Sequence, residues 1–132
     1  MDSLEFKIRD DDRVDIFINA KNLIEILREY EKSIVKNELR EDIAGSYDGL
    51  FKDVLLNNLM GDNSIILGCQ CGEEMCWPMR IKISKGDNFI AWNSFEQPYR
   101  GKNSHNYWNY DNFGEFIFDI KNYEKEVEKL KP

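Results

Sequence analysis

LEFKIRDDDRVDIFIN, residues 4–19, holds two runs in which apolar and polar residues alternate, separated by three aspartates. Leu4, Phe6 and Ile8 fall on one face of the first run, and Val14, Ile16 and Ile18 on one face of the second. A period of two is that of a strand buried on one side. With Asp10, Asp11 and Asp12 as a polar turn, the stretch predicts a β-hairpin. Neither run contains proline, so both can enter a sheet.

The period then changes. In AKNLIEILREYEKSIVKNE, residues 20–38, the apolar positions Leu23, Ile24, Leu27, Tyr30 and Ile34 recur at helical spacing. Asn22 is placed to cap this helix, with Glu25 three residues on in a capping-box pattern. Glu25, Arg28, Glu29 and Lys32 supply the solvated face.

Outward from these elements, AGSYDGL (44–50) reads as a loop, FKDVLLNNLM (51–60) as a short helix and GDNS (61–64) as a turn. IILGCQ (65–70), WPMRIKIS (77–84) and FIAWNSFEQ (89–97) read as strands, with KGDN (85–88) as a tight turn. Pro98 lacks a backbone donor and ends the third of these. FGEFIFD (113–119) alternates again, and Asp119 caps a last helix with Ile120, Tyr123, Val127 and Leu130 on one stripe. Strand runs together with helices, and no linker or repeat, predict a single α+β domain over 1–132. Its core would be one antiparallel sheet of about five or six strands packed against two main helices.

The 132 residues carry 18 Lys and Arg against 25 Asp and Glu, a net charge of −7. Nucleic acid and anionic membrane surfaces need clustered cations, so neither is an expected partner. Residues 1–66 hold a net of −6 and residues 67–132 a net of −1, an asymmetry that suits a basic protein partner. No apolar run has membrane-spanning length, and the charged N-terminal residues do not form a signal peptide, which points to the cytoplasm.

All three cysteines lie in GCQCGEEMCWP, residues 68–78. Cys69, Cys71 and Cys76, with His105 as the sole histidine, make a candidate zinc set, although the spacing is not that of a zinc ribbon or finger. Glu73 and Glu74 oppose a reactive thiolate, and a cytoplasmic chain is not expected to keep a disulfide here. The plainer alternative makes Cys69 and Cys76 small buried residues at strand ends.

Ten of the 17 aromatic residues fall within 88–118. Trp92, Arg100, Tyr107 and Trp108 are the candidate binding residues there, because aromatic rings and arginine dominate contact energetics. A core role for these rings is the alternative, since a small domain must bury most of them. No P-loop, dinucleotide fingerprint or nucleophile elbow is present, so no catalytic residues are assigned.

INAKNLIEILREYE, AGSYDGL, LGCQCGEEMCWP, WNSFEQPYR and FGEFIFDIKNYE together resemble a group of small bacterial proteins with the segments CxCGxxxCWP, WxxFEQPxR and FGxFxFDxxxYE. The resemblance implies a single domain and no assigned activity. The group tends to carry His where this chain has Tyr99 and Pro where it has Glu115, so a role for that histidine does not transfer. The expected function is a non-enzymatic cytosolic binding protein, with an immunity-type protein that neutralises a basic partner as its concrete form. The alternatives are a zinc-stabilised domain and an enzyme with a small-ligand pocket near Trp92 and Arg100.

Overall fold

The computed structural model describes residues 1–34, 43–61, 64–69, 77–101 and 107–132. Strands β1 (Leu4–Ile8) and β2 (Val14–Ile18) form the predicted hairpin, pairing Leu4 with Ile18, Phe6 with Ile16 and Ile8 with Val14. Leu4, Phe6, Val14, Ile16 and Ile18 are buried, while Ile8 at the turn end is exposed. The alternation thus sets the register, because a one-residue slip would turn the buried set to water.

A two-residue strand β3 (Lys21–Asn22) completes this sheet and leads into helix α1 (Leu23–Ile34). The Asn22 side chain accepts the Ile24 amide at 2.9 Å, the capping role expected of it. Glu25 pairs with Arg28 one turn on instead of reaching back to the cap. The predicted helical residues 35–38 lie outside the described residues.

The remaining strands form a second antiparallel sheet in chain order: β4 (Asp48–Gly49), β5 (Ile65–Gly68), β6 (Met79–Lys85), β7 (Phe89–Glu96) and β8 (Phe116–Asp119). The short helix α2 (Lys52–Met60) follows β4, and α3 (Ile120–Glu128) ends the fold. Asp119 caps α3, accepting the Lys121 and Asn122 amides at 3.0 and 3.2 Å. The architecture is therefore antiparallel α+β as predicted, with its strands shared between two sheets and a third helix present. Strand β4 escaped the sequence reading because two residues carry no period.

The two sheets meet at both ends of the hairpin. The Asp2 amide donates to the Ile117 carbonyl at 2.8 Å, and the Asp2 carboxylate accepts the Ile117 amide at 2.8 Å. At the turn end, the Val14 amide donates to Leu50 and the Lys52 amide to Asp12, at 2.9 and 2.8 Å. Gly49 permits this approach: a Cβ there would stand 2.3 Å from the Val14 carbonyl oxygen. Arg9 and Arg13 reinforce the join by sharing the Asp48 carboxylate at 3.0 and 2.6 Å. One core results, running from Leu4, Phe6 and Ile16 through Leu23 and Leu27 to Ile66, Trp92 and Phe118.

Among the described residues strand β1 has no strand on its outer edge, and α3 takes that place. Asn122 accepts the Leu4 amide and donates to the Leu4 carbonyl, both at 3.0 Å. One helical turn on, buried Glu126 accepts the Phe6 amide at 2.8 Å and is held by Lys129 at 2.7 Å. Removing this acceptor strands a buried N–H, whose desolvation is the large part of the loss. Glu126→Ala is expected to lower unfolding stability by about 2 kcal/mol, read from the urea midpoint at unchanged slope.

Candidate functional site

Strands β6 and β7 fall out of step in mid-sheet. Arg80 opposes Glu96 and Lys82 opposes Asn93, which leaves Ser94 and Phe95 facing Ile81 as a bulge. Ser94 sits at φ 53°, a left-handed conformation that costs a residue with a Cβ. Bulges re-aim side chains and gather beside sites. Here the bulge lies on an open cleft of about 390 Å³, walled on the sheet side by Arg80, Ser94 and Glu96 and on the other by Tyr107, Trp108 and Asp111. Arg80 bonds Glu96 at 2.6 and 3.1 Å across the strands.

The far wall alternates like a strand though it pairs with none among the described residues. Trp108 and Tyr110 point inward and are buried, while Tyr107, Asn109 and Asp111 face out. Each inward ring is held: the Trp108 amide donates to the Arg100 carbonyl at 2.8 Å, and Tyr110 stacks on Tyr30 at 5.5 Å. The Arg100 guanidinium lies 5.0 Å from the centre of the Trp108 ring, a cation–π contact. Beside them Trp77 stacks on Tyr99 at 5.8 Å and meets Trp108 edge-on at 6.0 Å. Two rings stay in solvent, Tyr99 at 49% and Tyr107 at 41% exposure. The buried indole N–H of Trp77 has no hydrogen-bond partner, an unmatched donor at this rim.

Of the four predicted binding residues, the structure brings Arg100, Tyr107 and Trp108 together. Trp92 stands apart in the core at 0% exposure, edge-on to Phe118 and donating its indole N–H to the Tyr123 hydroxyl at 3.3 Å. Trp77 and Tyr99 were not among the predicted binding residues. Their signal was present in the Trp77-Pro78 and Pro98-Tyr99 pairs, where proline stops the strand pattern and leaves a ring at its end.

Behind the cleft lies a group that periodicity did not reveal. Glu31 is 0% exposed on the Leu23–Leu27 face of α1. Its Oε2 accepts the hydroxyls of Tyr47 and Tyr110 at 2.5 Å each, and its Oε1 accepts the Gly45 amide at 2.8 Å. Gln97 donates in turn to the Tyr47 hydroxyl at 3.3 Å. Gly45 reaches this position at φ 69°, with the Arg28 side chain against it. Burial pushes the Glu31 carboxyl above its ordinary value, and the two hydroxyls, the amide and Arg28 only partly pull it back. Burial also raises the phenols of Tyr47 and Tyr110, so both remain protonated donors. The arrangement ties α1, the 43–47 turn and the cleft wall into one satisfied network.

The zinc set is only partly within view. Cys69 follows β5, is buried, and is disulfide-bonded, contrary to the expectation of free thiols. That expectation rested on a reducing cytoplasm, which disfavours a disulfide by its thiol pool and not by the geometry of the chain. Cys71, Cys76 and His105 lie outside the described residues. A disulfide sulfur offers no thiolate, so zinc ligation by Cys69 and this bond are alternative states of one atom. Among the described residues no group of three metal-ligating side chains converges. No described helix is long and apolar enough to cross a membrane.

Two outcomes follow. A carboxyl whose folded value is raised adds stability when protonated and loses it as pH rises through that value. Urea titrations from pH 4 to pH 8 should show this downward contribution in the native chain and not in Glu31→Gln. Denatured without reductant, the chain should expose one thiol, and three after reduction. Three before reduction would return Cys69 to the state a zinc ligand requires. Compared with protein-family models, with curated proteins and with solved structures, the chain matches none.

Proposed function

We propose that the chain works by binding a protein partner in the cytosol and not by chemistry, in the manner of an immunity-type protein that neutralises a basic partner. The observation that carries this reading is the pair of exposed rings, Tyr99 and Tyr107, on an otherwise pinned aromatic rim. A domain of this size has every reason to bury its rings. A ring held by stacking and left in solvent, as Tyr99 is on Trp77, loses little entropy on contact and serves as an anchor, and Tyr107 adds a second exposed ring beside it. Arg100 over Trp108 adds the other side chain enriched at contact centres. The net charge of −7 supports a basic partner, since opposite charge speeds encounter.

The test pairs the purified chain with a basic protein encoded beside it and follows association by stopped flow. The association rate constant is expected to fall several-fold between about 20 mM and about 150 mM salt, as screening shortens the reach of the field. Tyr99→Ala and Tyr107→Ala are each expected to speed dissociation about tenfold, equivalent to about 1.4 kcal/mol. Absence of a complex, or a complex indifferent to both substitutions, rejects the reading.

A further inference from the structure

A second cleft, of about 580 Å³, lies between the end of α2 and the side of α3 that carries Ile120, Glu124 and Glu128. Its floor is apolar, with Ile83 and Ile90 from β6 and β7 and Ile120 and Val127 from α3. Met60, the last residue of α2, stands at its edge with 68% of its surface in water. Four charged residues line it: Lys85 and Lys131, Glu124 and Glu128. We propose that this groove is a self-association surface, each copy of the chain placing the Met60 end of its α2 in the groove of the other in a two-fold contact.

Charge selects that occupant. The lining carries two cations and two anions, so the whole net charge of −7 resides on the rest of the molecule. Copies therefore repel through most orientations and meet without that penalty at this groove. A two-fold contact sets residue i against j and j against i, so a patch bearing both signs complements itself. Lys131 already pairs with Glu128 at 3.2 Å within the chain. Lys85 and Glu124 enter no ion pair among the described residues, and the two-fold operation can set each against the other in the partner copy. Ile90 and Val127 are already buried, so Met60 and the half-buried Ile83 and Ile120 supply the attraction, while the exposed charges fix register and add little energy. The exposed lining of the groove falls well short of the ~800 Å² per partner of a standard interface, so the dimer is a weak one. A foreign helix or an apolar small molecule would fit the floor but has no need of a balanced rim.

The experiment is sedimentation equilibrium of the full chain, its disulfide intact and its remaining thiol blocked, from about 10 μM to about 1 mM, the range of a sub-standard contact. The average mass is expected to climb from 15.7 kDa toward twice that value. Met60→Glu, at an exposed helix end, should weaken association at least about tenfold, with an unchanged thermal melt at low concentration. Lys85→Glu and Glu124→Lys should each weaken it several-fold, and the two together should restore it. A monomer at every concentration overturns the proposal, as does a dimer whose constant none of these substitutions moves.

Discussion

Every backbone amide and carbonyl taken from water needs a partner, and strand β1, paired with β2 on one side, faces that requirement on its other edge without a strand among the described residues. Asn122 and Glu126, one helical turn apart on α3, meet it by presenting side-chain oxygens and an amide at the spacing of the strand's outward groups. The spacing works because i and i+4 on a helix lie about 6 Å apart along its axis, close to the repeat of alternate residues on a strand. Helix position, hairpin edge and core closure are then one constraint. With α3 so placed, Tyr123, Val127 and Leu130 come down on the core, and the join of Asp2 to β8 is held beside it.

Much of this could be read from residues whose pattern and environment agree. The hairpin alternation, the Asn22 and Asp119 caps and the apolar stripes are local signals, and the local preference is also the tertiary outcome. What escaped is of another kind. Glu31 occupies a helix position that apolar neighbours Leu23 and Leu27 mark as buried, but a charge breaks the pattern, and its partners come from residues 14 to 79 positions away. Glu126 looks like any solvated glutamate until the β1 edge is laid against it. The Ser94 bulge depends on a mismatch between two strands, which neither strand shows alone.

The aromatic segment combines both cases. Its density of rings marked it as unusual, and alternation within 107–111 tells which rings turn inward, once it is clear that a segment without strand partners still lies flat on a sheet. Trp92 shows the limit of ring type as a guide. The same indole that suits a contact surface suits a core, and only the register of β7 against β8 decides between them. Trp92 opposes Phe116 there, under α3, and its N–H is met by Tyr123.

The bonds from Asn122 and Glu126 to β1 span 118 and 120 positions of a 132-residue chain. The hairpin itself closes through neighbouring residues, whereas sealing its edge means closing a loop of the longest kind this fold contains. Forming the strand and protecting it are therefore separate events in folding, and the contact of high sequence separation comes at the greater entropic cost. In the interval between them the edge of β1 is a bare pairing template.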